Sequence, residues 1–218
     1  LIEAISNRYN LQKQNIVLGN GSDDLIQLIC NAFLDSEDEA IHTEFGFLVF
    51  PQSIKIAGGK PVCAKDKNFT VSIQKIVEKI TNKTKLIFLA NPNNPTGTMV
   101  NSNEINELIK SLRSDIILVI DAAYAEYVEH DLYIDVASLV EKYNNVIMLR
   151  TFSKLHGLAS LRLGWAYCPL LISNLLKSIR PPFSVNALAS FAGTASIQDI
   201  EFQKQSFVQN YLKVMWLS

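Results

Sequence analysis

The sequence predicts an α/β fold in which a mainly parallel sheet is sandwiched by helices. Strand-like and helix-like segments alternate along the chain, which is typical of parallel βα units. Two apolar runs, 86–90 and 116–120, are uninterrupted, as expected for strands that are covered on both faces. The chain has 218 residues without an internal repeat or a flexible linker, so we expect one large domain spanning 1–218.

Each element is predicted from its local pattern. A helix begins at Ser22, because Asp23 and Asp24 place acidic side chains in the first turn and apolar residues follow at helical spacing. We predict further helices at 1–9, 47–57, 73–80, 103–112 and 184–217, and strands at 39–43, 61–65, 86–90, 116–120, 146–149 and 162–168. Pro169 ends the last strand. The last helix is expected to be long and to leave the domain after the break at 181–182.

Composition and charge argue against several classes of function. The net charge is −1, which favours neither nucleic acid nor an anionic membrane as a partner. No apolar run reaches the roughly 20 residues that a membrane-spanning helix needs. The cysteines and histidines have no metal-ligand spacing, so we expect no metal site and a reducing, cytoplasmic setting. These residues are Cys30, Cys63, Cys168, His42, His130 and His156.

Both ends of the sequence fall inside helical patterns. The chain starts at Leu1 rather than at a methionine and stops at Ser218, and neither end has a stop signal such as a glycine cap. We therefore expect the chain to be a piece of a longer protein.

Polar motifs follow three of the predicted strands at the point where each strand ends. Segment 91–97 follows one apolar run, 121–124 follows the next, and 151–154 follows the strand at 146–149. In open α/β sheets, ligands bind beyond the carboxyl ends of the strands. If these strands are parallel, the three motifs lie along one edge of the sheet and form a single site.

The residues of the first two motifs suit an aromatic cofactor, although each has a simpler explanation. Asp121 ends a buried strand, where a carboxylate is costly unless it is paired, and it could pair with a protonated ring nitrogen or cap a turn. Tyr124 could reach the same ligand or be a packed aromatic. Asn94 could donate to a phenolate oxygen if its flanking prolines aim it inwards, or the segment could be a plain turn.

Lys154 is the candidate nucleophile. It follows a buried strand and precedes the nearly uncharged segment 155–161, where an amine would lose solvation and become able to form a Schiff base. Thr151, Ser153 and Arg162 supply two hydroxyls and a guanidinium that suit a phosphate. Pyridoxal 5′-phosphate (PLP) is therefore the leading prediction for the cofactor.

Three further features of the sequence are weaker indications of a cofactor site. Backbone N–H groups at 19–22, where a helix begins, could cradle a phosphate, but a plain N-cap is the simpler explanation. Phe45 could stack on a flat cofactor, but a core aromatic is the simpler explanation. His156 lies two residues past Lys154, and we expect it near the site without a catalytic role.

Segments 91–97, 121–127 and 151–165 together resemble the fold-type I PLP-dependent aminotransferases of the aspartate aminotransferase superfamily. The closest likeness is to histidinol-phosphate aminotransferases. The order and spacing of the three motifs match, and the likeness covers nearly the whole chain. One departure is that Leu155 and His156 stand where this family usually has Ala and Phe, which affects substrate tuning rather than the chemistry.

The resemblance implies a role for each candidate residue. Lys154 would form the Schiff base and move the proton between Cα and C4′, and Asp121 would pair with the pyridine nitrogen. Asn94 and Tyr124 would hold the 3-oxygen of the ring. The remaining implied contacts are the backbone amides of Ser22 and Asp23 and the side chains of Thr151, Ser153 and Arg162 on the phosphate, and Phe45 stacked on the ring.

The resemblance also implies a reaction and an assembly. The reaction is transamination between an amino donor and a keto acid, here histidinol phosphate and 2-oxoglutarate giving imidazole-acetol phosphate and glutamate, in a homodimer. Members of the family have an N-terminal arm and a small C-terminal domain that supplies an arginine for the substrate carboxylate. We expect neither within these 218 residues, so that the chain corresponds to the large cofactor domain.

Three alternatives stay open. The chain could be a PLP-binding fragment without turnover, or a PLP-dependent decarboxylase on the same scaffold, which carbon dioxide release would distinguish. It could also be a nucleotide-binding α/β domain, but no Gly-x-Gly-x-x-Gly follows a predicted strand.

Overall fold

A computed structural model describes residues 1–128 and 134–217, so His130 lies outside the described residues. Short 3₁₀ turns separate some of the longer elements. In chain order the elements are α1 (Ile2–Tyr9), β1 (Ile16–Gly19), α2 (Ser22–Phe33), β2 (Glu39–Thr43), α3 (Val49–Ile56), β3 (Lys60–Ala64), α4 (Ile73–Val77), β4 (Thr84–Ala90), α5 (Ser102–Ser111), β5 (Ile117–Asp121), α6 (Val136–Lys142), β6 (Val146–Thr151), β7 (Gly164–Tyr167), α7 (Leu170–Ile179), α8 (Ala187–Gln198) and α9 (Ile200–Leu217).

The strands of the described residues form a seven-stranded, mainly parallel sheet in the order β1-β7-β6-β5-β4-β2-β3. The pairs from β3 to β6 are parallel, whereas β7 runs antiparallel to both β6 and β1. The carboxyl ends of β4, β5 and β6 therefore lie at one edge of the sheet. The predicted fold class is confirmed.

Helices cover both faces of the sheet because its central strands are apolar on both sides. In β4, Leu86 and Phe88 belong to the core that includes α2, α3 and α7, whereas Ile87 and Leu89 belong to the opposite core. That second core includes residues of α1, α4, α5, α6 and α8. The uninterrupted apolar run at 86–90 thus reflects burial on two sides.

Every strand predicted from the sequence is present, with ends shifted by a residue or two. The prediction missed β1, α6 and α7. Strand β1 has only four residues and lies at the edge of the sheet. Helix α6 spans about two turns, which is too short for a clear helical period. Helix α7 begins directly after Pro169, which we interpreted only as the end of a strand, although proline also favours helix starts.

The long helix expected over 184–217 is two helices, α8 and α9, separated at Asp199. The Asp199 Oδ1 atom accepts a hydrogen bond from the Phe202 N–H at 3.0 Å, as an N-cap of α9 does. Gln203 Nε2 donates to the carbonyls of Ser196 at 2.7 Å and Ile197 at 3.3 Å, near the end of α8. The break is stable because side chains satisfy the backbone groups that it leaves free.

The cysteines are free thiols, with Cys30 and Cys168 buried and Cys63 exposed. Burial raises the pKa of both buried thiols to about 12, so they remain protonated and unreactive. Within residues 1–128 and 134–217, no helix is long and apolar enough to cross a membrane.

Candidate active site

The three motifs that follow β4, β5 and β6 meet at one edge of the sheet. Strand register places Ala90 beside Asp121 and Thr151 beside Gly164. A cavity of about 180 Å³ opens there. Every site residue predicted from the sequence lines it except Phe45, and the lining consists of Ser22, Asp23, Phe47, Ala90, Pro92, Asn94, Asp121, Ala123, Tyr124, Thr151, Ser153, Lys154, Ala159 and Arg162.

Asp121 is a buried carboxylate at the floor of this cavity, with 5% of its surface exposed. Burial raises the pKa of Asp121 to about 6, and the nearby charge of Asp23 acts in the same direction. The N–H of Ala123, which donates to Oδ1 at 3.1 Å, and the charge of Lys154 oppose the rise. A cationic group placed beside this carboxylate would offset its desolvation.

Lys154 lies at the opening of the cavity, with its Nζ atom 5.2 Å from the centre of the Tyr124 ring. The expectation that this amine is desolvated by its apolar flank is wrong, because Lys154 is exposed. The neighbouring Leu155 and His156 turn into the protein and are each 4% exposed, so they cover the core rather than the amine. The geometry leaves Nζ accessible to a ligand that enters the cavity.

The loop at 91–97 is held by its own asparagines. The Asn91 side chain donates to the Val100 carbonyl at 3.2 Å and accepts the Val100 N–H at 2.9 Å. Asn93 Nδ2 donates to the Phe45 carbonyl at 3.0 Å and to Thr96 Oγ1 at 2.8 Å. These bonds fix the loop on both sides of Asn94, whose side chain lines the cavity.

Arg162 and the start of α2 form the polar end of the cavity. Arg162 adopts a left-handed backbone conformation with φ 52°, which is a strained geometry for a residue with a side chain of this size. Its guanidinium donates to the Ala159 carbonyl at 2.9 Å, to Asp23 Oδ2 at 3.2 Å and, at 3.5 Å, to Ser153 Oγ. A guanidinium beside the N-terminus of a helix is a favourable place for an anion.

Two glycines, Gly21 and Gly164, allow Arg162 and β7 to lie close to the start of α2. A Cβ on Gly21, which has φ 91°, would lie 2.6 Å from the Arg162 guanidinium. A Cβ on Gly164 would lie 2.6 Å from the Gly21 carbonyl carbon and closer still to the Ser22 backbone nitrogen. The strand β7 therefore meets the first turn of α2 because Gly164 lacks a side chain, and Gly21 leaves the space that the Arg162 guanidinium fills.

Residues 1–216 match the family model described as aminotransferase class I and II. The chain belongs to this aminotransferase family. The match spans all three motifs and the elements that position them, so the resemblance inferred from the sequence is confirmed.

Relatives within this aminotransferase family share the fold and much of the sequence. The histidinol-phosphate aminotransferase of Rhodospirillum centenum is 40% identical over 210 residues, and that of Pelagibacter ubique is 43% identical over 210 residues. In both cases the match covers 96% of this chain and 58% of the relative, so the chain spans well under two thirds of their length.

A solved structure of the family has the same architecture. The histidinol-phosphate aminotransferase of Sinorhizobium meliloti, in complex with pyridoxal-5′-phosphate, superposes with a TM-score of 0.90 at 25% identity. The superposition covers 95% of this chain and 56% of that protein.

The phenylalanine that lines the cavity of this family member is Phe47 rather than Phe45. Phe45 packs its ring against Phe69 at 5.1 Å between centroids and is 37% exposed. Its backbone is fixed between the Asp66 carboxylate and the Asn93 amide. Sequence reasoning missed Phe47, and strand alternation could not have found it, because residues 45 and 47 have the same parity and both lie in the turn between β2 and α3.

Proposed function

We propose that these 218 residues are the large, cofactor-binding domain of a PLP-dependent aminotransferase. The observation that carries the proposal is the convergence of an accessible amine, a buried carboxylate and an anion-binding helix start around one cavity. Asp121 supports it because its burial calls for a cationic partner. Gly21 and Gly164 support it because they let the Arg162 guanidinium and β7 lie close against the first turn of α2, whose backbone N–H groups can bind a phosphate.

The residues of the cavity have separate tasks in this proposal. Asp121 would pair with the pyridine nitrogen, and Asn94 and Tyr124 would donate to the 3-oxygen. The phosphate would lie against the Ser22 and Asp23 amides and the side chains of Thr151, Ser153 and Arg162. Bound PLP supplies an aldehyde carbon and an electron-withdrawing ring, which together stabilise negative charge at the Cα of an amino substrate.

Lys154 is the proposed catalytic base. Its Nζ atom is exposed at the opening of the cavity, beside Tyr124, where a substrate would enter. In that position Nζ would hold the cofactor and would accept the proton from the Cα of the substrate. Asp121 would hold a proton on the ring nitrogen and so make the Cα proton easier to remove.

For the whole protein we propose transamination of histidinol phosphate with 2-oxoglutarate, giving imidazole-acetol phosphate and glutamate. The support is the 40% and 43% identity to two histidinol-phosphate aminotransferases. A decarboxylase on the same scaffold would release carbon dioxide from its substrate instead of forming a keto product. A domain that binds PLP without turnover would give neither carbon dioxide nor a keto product.

The first test is to add PLP to the purified chain, record the visible spectrum, reduce with borohydride and map the labelled peptide. We expect a new absorbance band and label on Lys154. Lys154→Ala should abolish both, and Lys154→Arg, which keeps the charge but cannot be reduced onto PLP, should do the same. An unchanged spectrum in either variant would contradict the assignment of Lys154.

The second test adds histidinol phosphate and 2-oxoglutarate to a protein with the full length of its relatives. We expect glutamate to form in proportion to the keto product. Histidinol phosphate has no carboxylate to lose, so the decarboxylase is tested separately with threonine phosphate, from which carbon dioxide release without a keto product would identify it. The absence of product in both assays would leave a cofactor-binding protein.

We further propose that the whole protein is a cytoplasmic homodimer. The apolar side chains of Phe183, Leu188 and Phe191 support an interface, because they are 92%, 73% and 78% exposed on and just before α8. The three free thiols support a reducing compartment.

A further inference from the structure

A largely buried polar cluster is made of His156, Glu126, Arg150 and Ser196, most of which lie close to cavity residues in the sequence. Each of the first three adjoins a cavity residue in sequence. His156 is two residues past Lys154, Glu126 is two past Tyr124, and Arg150 directly precedes Thr151. The proposed chemistry uses none of the cluster's side chains, yet the cluster connects two of the three segments that carry it, those that follow β5 and β6.

The contacts within the cluster are specific. Arg150 Nη2 donates to Glu126 Oε1 at 2.6 Å, and the two side chains are 8% and 13% exposed. The guanidinium also lies over the rings of Tyr9 at 5.1 Å and Trp165 at 5.8 Å. A buried ion pair with these additional contacts is fixed in place, because breaking it would leave a charge without compensation.

His156 connects this ion pair to helix α8. Its Nδ1 atom lies 2.8 Å from Ser196 Oγ, within hydrogen-bonding distance, and its Nε2 atom lies against the Glu126 carboxylate, 3.9 Å from Oε1. Its ring is 4.8 Å from the Phe152 ring. Burial lowers the pKa of His156. The charges of Arg150 and Arg8 lower this pKa further, whereas the charge of Glu126 raises it. The ring is therefore neutral at neutral pH.

The turn that carries Lys154 is anchored by the buried side chains of Phe152 and Leu155 and by local hydrogen bonds. The Gly157 N–H donates to the Lys154 carbonyl and the Leu158 N–H donates to the Phe152 carbonyl, each at 3.0 Å. His156 adds the polar side-chain contact from this turn to α8, which unlike apolar packing fixes one orientation, so its loss would let the turn shift relative to α8.

We propose that His156 is a positioning residue of the cofactor site, which holds Lys154 in register with Tyr124 by binding Ser196 and contacting Glu126. This inference rests on the proposed function. It assigns a role to the histidine that stands where the resembling family usually has phenylalanine.

The test compares His156→Ala with His156→Asn, whose side-chain amide can replace Nδ1 as a partner for Ser196. His42→Asn is the control, because it removes a half-buried histidine of β2, which is not among the residues that line the cavity. Three quantities are measured: the Kd for PLP from the visible band, the hydrogen exchange of the Gly157 and Leu158 amides without PLP, and the urea midpoint of unfolding.

We expect His156→Ala to raise the Kd on the order of tenfold or more, the scale on which a displaced reactive group acts, and to speed exchange at both amides. His156→Asn should recover most of each effect, and the control should change neither. An unchanged Kd in His156→Ala alongside a lowered unfolding midpoint would overturn the inference, since it would mean a structural role only. If the wild-type chain gives no band, the proposed function fails, and unchanged exchange in His156→Ala would then overturn the positioning role separately.

Discussion

Asp121 shows at the scale of a single residue how a binding site costs stability. Its carboxylate is buried with a pKa raised to about 6. Because the pKa is higher in the folded than in the unfolded state, the folded protein prefers the protonated form. The cost of burying the charge is absent below about pH 4, grows as the pH rises to about 6, and is complete at pH 7.

We therefore expect Asp121→Asn to stabilise the cofactor-free chain at pH 7 by about 3 kcal/mol, on the basis of 1.36 kcal/mol per pKa unit and a pKa raised from 3.8 to about 6. The asparagine Oδ1 can still accept the Ala123 N–H, so the local geometry is retained. Urea unfolding at pH 7 and pH 4 measures the effect, and the gain should nearly vanish at pH 4. The same variant should bind PLP more weakly, whereas a gain that does not depend on pH would contradict this account of the carboxylate.

At the scale of elements, the contact between β7 and the start of α2 shapes the polar end of the cavity. Gly164 pairs with Gly19 on one side and with Thr151 on the other, which places it against the Ser22 backbone. A side chain there would meet backbone atoms, which cannot rotate away. The strand and the helix would have to separate.

Gly164→Ala should therefore destabilise the chain by about 1–3 kcal/mol, the usual cost of overpacking, and weaken the binding of PLP or inorganic phosphate. Gly58→Ala is the matched control: its φ is 88°, so the substitution is strained, but no atom lies within 4 Å of the new Cβ. Thermal unfolding and phosphate titration separate the two effects. Equal loss of phosphate affinity in both variants would show that backbone strain, rather than the contact with Ser22, is responsible.

At the scale of the whole molecule, the exposed apolar residues near α8 bear on assembly. Phe183 and Phe191 are 92% and 78% exposed, so charged substitutions there cost little in the isolated chain. If they form the dimer interface, Phe191→Glu should shift the sedimentation coefficient of the full-length protein from dimer to monomer. Ile56→Glu, on helix α3 and 73% exposed, is the control and should leave the dimer intact. A dimer that survives Phe191→Glu would place the interface elsewhere.

The sequence by itself determined the alternation of strands and helices, the burial of the central sheet on both faces and the edge where the polar motifs meet. These features are local, because each depends on the period of apolar residues along a short segment or on the residues that directly follow a strand. Asp121, Lys154 and Arg162 could be placed at one site for that reason, and the cavity contains all three.

Only the tertiary structure decided which atoms meet across long separations. Two contacts join segments that are distant in sequence: the pairing of β7 with β1, which places Gly164 against Ser22, and the contact of His156 with Ser196. Two other features depend on how a turn folds back: the exposure of Lys154 and the position of Phe47 in the cavity. Local periodicity reports whether a side chain is buried. It does not specify the partner, because the partner is fixed by the packing of the whole domain.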